Sequence, residues 1–207
     1  MPNGNSGRTD HQRSEIPYRN GPNSRGESVL NSGNTCEDME DNVLLLPLFE
    51  AELVKLKGSG DDNLKDAERI QELKDTIENA KTAAEFGVRR VQADFYDAFS
   101  TADYDKMSDV WSRTEDVCCG HPGMHSLQGI TAVMESWRQI FAGYAGSDDT
   151  NAFQINPTRV KVDICGRTAI CTCVEETNGG RLEALNIYRR EGGTWKMVNH
   201  MASPVMM

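Results

Sequence analysis

Three kinds of side chain in this sequence could move a proton. His121 and His200 carry imidazoles that titrate near neutral pH and act as general acid or base when held in a pocket. Asp116, Glu135, Asp163, Glu175 and Glu183 fall in or beside expected elements. A carboxylate pushed into apolar surroundings, with its pKa raised, can do the same work. Asn186 lies in an extended run where Glu183, Leu185 and Ile187 share one face and Leu182, Ala184, Asn186 and Tyr188 the other. Amid those apolar neighbours it is either a pocket hydrogen-bonder or a half-exposed position. Tyr96, Trp111 and Trp137 are core aromatics or the wall of an aromatic pocket. A loop-fixing role for His121 stands beside the acid–base one, because it precedes Pro122 at a strand end; His125 is expected to be exposed. No nucleophile motif, phosphate loop or metal-spaced cluster accompanies these residues, so neither metal nor cofactor is expected.

The six cysteines (Cys36, Cys118, Cys119, Cys165, Cys171, Cys173) form no C-x-x-C pair. Buried free thiols in a reducing compartment are the simplest reading, and the spacing gives zinc no support. Cys171 and Cys173, two apart, share one strand face, while adjacent Cys118 and Cys119 point opposite ways.

These residues need elements to position them, and 207 residues allow one ordinary domain plus extra material. Asn, Gly and Ser fill sixteen of the first 34 positions, so 1–40 is expected to be a disordered tail. Residues 1–34 carry +1, which leaves −11 on the rest of a chain whose net charge is −10. So acidic a body argues against nucleic-acid and anionic-membrane partners. No apolar run approaches the ~20 residues of a membrane span. The first 28 residues hold no secretory h-region, so an intracellular protein, cytoplasmic or nuclear, is expected, with organelle targeting by the tail the less favoured alternative.

A helical extension should cover 41–87. Its first helix is capped by Asp41, carries Pro47 in the first turn and ends at Gly58. A second, opened by Asp61, bears a stripe through Leu64, Ala67, Ile70, Leu73, Ile77, Ala80, Ala84, Val88, Val91, Phe95 and Ala98. Gly87 marks an expected bend into the first helix of the main domain, 88–100. A helix over 102–111, capped by Asp103, precedes short strands at 116–119 and 125–128 around a His121-Pro122-Gly123 turn. Another helix covers 130–141, a loop 143–151, and four strands 153–164, 168–177, 181–190 and 194–202. Helices first and a meander afterwards predict an α+β fold.

Trp111, Val117, His121-Pro122-Gly123, Leu127, Gly129, Ala132-Val133-Met134, Ser136-Trp137 and Ile140-Phe141 keep a fixed spacing. In this the chain resembles the SnoaL-like branch of the nuclear-transport-factor-2-like (NTF2-like) superfamily, in particular plant and algal members carrying W…V…HPG…L.G…AVM.SW..IF. The resemblance implies an NTF2-like cone over 88–204: three helices packed in a strongly curved antiparallel sheet, with a pocket inside. That superfamily holds isomerases, dehydratases, cyclases, ligand carriers and assembly modules, so the fold alone does not name a chemistry. Its second sheet face commonly packs on a twin subunit. Here 169–174 and 195–202 look apolar on both faces, so a homodimer through the sheet is expected, with Cys171 and Cys173 assigned to the outer face.

The C-terminal run resembles the family ending W-x-M-V-x-H-H-A-S-P. Trp195, Met197, Val198, His200, Ala202, Ser203 and Pro204 match, and Met201 stands where the second histidine would be. Strict alternation puts His200 with Lys196 and Val198, and removes an imidazole from the opposite face. With that histidine gone and no acid–base pair legible, the favoured reading is a non-catalytic module that binds a small apolar ligand or assembles through its sheet. Tyr96, Trp111, His121, Trp137, Asn186 and His200 would form the ligand site. The alternative is a SnoaL-like enzyme doing proton-transfer chemistry (isomerase, cyclase or dehydratase) with His121 or a buried carboxylate as base. Two or more ionisable groups converging on the pocket would favour the enzyme, and a purely apolar cavity the carrier.

Overall fold

The computed structural model describes residues 40–58, 64–144 and 154–205. The tail with Cys36, the Asp61 helix start, most of the 143–151 loop and Phe153 lie outside them. A 3₁₀ turn, Asn42–Leu45, leads into helix α1, Leu46–Gly58, and helix α2 then runs over Leu64–Thr101. The stripe on α2 buries Leu73, Ile77, Ala80, Ala84, Val88, Phe95 and Ala98, whereas Leu64 at its start stays exposed.

Asp41 is not a side-chain cap. Its carboxylate instead lies 3.0 Å from Arg190 Nη2, and Arg190 also pairs with Glu40, which is as deeply buried as the arginine. Nor does α2 break at Gly87. A Cβ there would sit 2.7 Å from Trp195 Cδ1 and 2.9 Å from Glu40 Oε2, so the missing side chain is what lets the indole seat against the helix.

Helix α3, Tyr104–Val110, is capped as expected: Asp103 Oδ1 accepts from the Lys106 amide at 2.9 Å. Strands β1, Cys118–Gly120, and β2, Leu127–Gln128, flank the His-Pro-Gly turn, and helix α4, Ile130–Tyr144, follows. The meander is β3, Asn156–Cys165, β4, Thr168–Thr177, β5, Gly180–Glu191, and β6, Thr194–Pro204. Gly192 and Gly193, at φ +52° and +79°, make the two-residue turn joining β5 to β6, a left-handed pair that suits the strand twist.

The six strands are ordered β2-β1-β6-β5-β4-β3. The sheet is mixed rather than antiparallel throughout, because β1 pairs parallel with β6. No tight turn links those two strands; a helix and four strands intervene, so the chain can return in either direction.

A second departure decides which way His200 points. Ile187 lies opposite Asn199 but Tyr188 lies opposite Met197, so Val198 is an extra residue in β6, a β-bulge. Alternation therefore shifts by one residue. His200 joins Trp195 and Met197 on the helix-covered inner face, not Lys196 and Val198, and Met201 turns outward with 44% of its surface exposed. Cys171 and Cys173 also prove to be inner-face residues, buried against α2 by contacts to Gln92 and Tyr96. The outer face carries Ile170, Leu185 and Met201, all exposed. Among the described residues no helix is long and apolar enough to cross a membrane.

Candidate functional site

Between the inner sheet face and the helices lies a cavity of about 200 Å³. Its apolar walls are Phe95 and Phe99, one turn apart on α2, Trp137 from α4, and Ile155, Leu182 and Ala202 from the sheet side. Into these walls are set three titratable groups: His121 after β1, Glu175 on β4 and His200 on β6. The bulge in β6 and the even spacing of Cys171, Cys173 and Glu175 on β4 are what aim the last two inward.

His121 stands edge-on to Trp137, ring centroids 4.7 Å apart. Its Nε2 lies 3.0 Å from Ser136 Oγ, and Ser136 gives its single proton to the Val133 carbonyl at 2.7 Å. The hydroxyl oxygen can then only accept, so His121 carries its proton on Nε2 and Nδ1 is bare. Burial pushes its pKa down, which keeps the ring neutral.

His200 is held the other way round. Its Nδ1 lies 2.7 Å from Asn186 Oδ1, an acceptor, so Nδ1 carries the proton and Nε2 is bare. Burial, with a smaller contribution from neighbouring His121, pushes the His200 pKa down to about 3. Its ring leans on Phe95 at 4.9 Å.

Glu175 is 1% exposed and accepts the Tyr96 hydroxyl proton on Oε1 at 2.9 Å. Burial pushes its carboxyl up to about 7, with the Tyr96 hydrogen bond pulling the other way. Near neutral pH the cavity thus holds one carboxyl that can give or take a proton and two uncharged imidazoles with a free lone pair each.

The other candidates disperse. Trp111 is buried but lies away from this cavity, bridging Met197 with its backbone. Tyr96 stands behind Glu175 and Asn186 behind His200, so both support cavity residues rather than line it. Asp116 is at the surface, where Arg189 at 2.6 Å holds its carboxyl far below the usual range. Glu135 pairs with Arg138 at 2.9 Å, Asp163 lies 3.6 Å from Lys161, and Glu183 and His125 are exposed. The cavity residues that the motifs did not flag are Phe95, Phe99, Gln154, Ile155, Thr177 and Leu182; the apolar stripe of α2 was the available sign for Phe95. Trp137 also brings an indole N–H that is buried with no hydrogen-bond partner.

None of the curated proteins matches the chain. Among solved structures it is similar to a protein from Streptomyces avermitilis provisionally assigned as a dehydratase of the NTF2-like family, at 29% identity and TM-score 0.48 over 58% of this chain and 95% of that one. It is similar to a provisionally assigned calcium/calmodulin-dependent protein kinase type II association domain from Thiobacillus denitrificans ATCC 25259, at 32% identity and TM-score 0.46 over 56% and 93%. An NTF2-like protein of unknown function from Pseudomonas putida KT2440 shares the fold at 18% identity and TM-score 0.50, over 61% and 90%. The sequence profile of the SnoaL-like domain matches residues 88–207, more than half of the chain. The protein belongs to the SnoaL-like domain family.

Proposed function

We propose that the cone cavity is an acid–base site for a small, flat, uncharged molecule, and that the reaction is a proton transfer such as isomerisation, cyclisation or dehydration. The observation that carries this reading is the convergence of His121, Glu175 and His200 on one apolar cavity. It is the pattern that separates the enzyme from the carrier. Two observations weigh against a carrier. The histidine replaced by Met201 would face outward, so its loss does not touch the cavity. And an acid–base pair invisible in the sequence is brought together by the sheet.

The chemistry follows from the proton inventory. His121 Nδ1, the bare nitrogen of the less suppressed imidazole, takes a C–H proton beside a carbonyl. Protonated Glu175 gives a proton to the carbonyl oxygen, yielding an enol, or to a β-hydroxyl that leaves as water. One proton is taken and one is given, so the substrate stays neutral. The charges left on the His121 imidazolium and the Glu175 carboxylate are opposite and offset one another in a site that solvates charge poorly. The orphaned Trp137 N–H would be satisfied by a substrate oxygen. Among the described residues no arginine or lysine lines the cavity, which disfavours carboxylate and phosphate substrates.

Deuterium incorporation into 2-tetralone and 2-cyclohexenone in D₂O, followed by proton NMR, tests the reading. The protein should accelerate exchange, and Glu175→Gln should reduce it about 100-fold or more, the lower end of general acid–base contributions. Exchange at the buffer rate for both ketones would overturn it.

A second proposal concerns assembly. Ile170, Leu185 and Met201 put exposed apolar surface on adjoining outer-face strands, and a twin subunit is the partner that this surface fits.

A further inference from the structure

The cavity meets one side of Glu175; the other side is held from behind. Tyr96 donates to Glu175 Oε1, and a phenol has a single proton, so at its 3.2 Å contact with Cys173 the oxygen accepts and the thiol donates. Gln92 Nε2 in turn donates to Cys173 Sγ at 3.6 Å, and Gln92 Oε1 takes the Cys171 thiol proton. Burial pushes both thiols up, Cys171 to about 12, so both keep the S–H that this arrangement needs. Gln92, Tyr96, Cys171 and Cys173 are each at most 4% exposed, so water does not compete for these bonds. The geometry is a ladder: Gln92 and Tyr96 are one turn apart on α2, facing Cys171, Cys173 and Glu175 at alternate positions on β4.

Every donor in this chain points the same way, from Cys171 through Gln92, Cys173 and Tyr96, and the last acceptor is the Glu175 carboxyl. We propose that Tyr96 is the positioning residue of the site, and that the one-way donor chain behind it locks Glu175 Oε1 and leaves Oε2 as the single oxygen that carries the exchangeable proton. The inference rests on the acid–base reading and deepens it: orientation of the acid is set by residues that never touch substrate. A chain of aligned donors also polarises itself, strengthening its last bond.

The test is carboxyl carbon NMR on the unliganded protein labelled in its glutamates, with the Glu175 signal identified by its loss in Glu175→Gln. Removing a hydrogen bond to the ionised carboxylate should raise the Glu175 midpoint by about one pH unit in Tyr96→Phe. Cys173→Ala should raise it by less, and Cys173→Ser, which restores a donor, should return it to the wild-type value. A wild-type midpoint near 7 that Tyr96→Phe leaves in place, in a variant with the wild-type circular dichroism, would overturn the proposal alone. If Tyr96→Phe does not fold, equal midpoints for Cys173→Ala and Cys173→Ser overturn it equally. A wild-type midpoint near 4.5 would sink the acid–base reading, and the proposal with it.

Discussion

Glu175→Gln should change how the stability of this protein depends on pH. The folded chain holds the Glu175 carboxyl at about 7, against an ordinary value of 4.5. A raised acid pKa stabilises the fold fully below the unfolded value and loses that contribution as pH rises through the folded one. Between about pH 4.5 and 7 the wild type therefore gives up roughly 3 kcal/mol on account of this group, from the difference of about 2.5 pH units at 1.36 kcal/mol each. Glutamine keeps the acceptor for Tyr96 but cannot ionise, so the variant should not pay this cost. Its own N–H groups add a penalty that is constant with pH and drops out of the comparison. The histidines act in the opposite sense, since their lowered pKa values cost stability as pH falls below about 6.5. They do so in both proteins and cancel in the difference. Urea unfolding at fixed ionic strength, every half unit from pH 4.5 to 8.5, gives the two curves. The variant should gain on the wild type by about 3 kcal/mol across the range. Parallel curves would refute the burial of an ionisable carboxyl at 175.

Four further outcomes follow. His121→Gln, which can still donate to Ser136, should keep the melting temperature while lowering ketone exchange, whereas His121→Ala should lose both; thermal melts and exchange rates separate the two. Met201→His should leave exchange and the Glu175 midpoint unchanged, because position 201 faces away from the cavity. Leu185→Lys, on the exposed outer sheet face, should convert a dimer into a monomer by light scattering, and a wild-type monomer at micromolar concentration would refute the assembly proposal. Glu40→Gln leaves Arg190 short of one buried partner, so urea unfolding should report a loss of about 3 kcal/mol, with Asp41 moderating the upper end.

Much of the cone could be read from sequence because its signals are local. The bounds of β4, the Asp103 cap, the tight turns and the division of β5 into two faces all depend on residues within a few positions of one another. What escaped depends on partners far along the chain. The direction of His200 hinges on one extra residue, Val198, whose presence shows only when β6 is laid against β5. The parallel pairing of β1 with β6 joins segments about eighty residues apart, with no turn to announce it. Cys171 and Cys173 looked like outer-face residues because a small thiol fits either side of a sheet; only the helix packed across them decides. Glu175 was one acid among five candidates, and nothing in its immediate sequence marks it as the one that α2 covers. Gly87 shows the same limit. A glycine inside a helical pattern reads as a bend, yet here it makes room for Trp195, more than a hundred residues away.

The central claim is that His121, Glu175 and His200 act together on a molecule in the cavity. It is tested most directly by the rate of 2-tetralone deuterium exchange across pH 5 to 9, measured for the wild type and for a variant carrying His121→Gln, Glu175→Gln and His200→Asn. The account predicts acceleration by the wild type with an inflection near pH 7, where Glu175 changes charge, and a variant that folds but exchanges at the buffer rate. A folded variant that exchanges as fast as the wild type would contradict it.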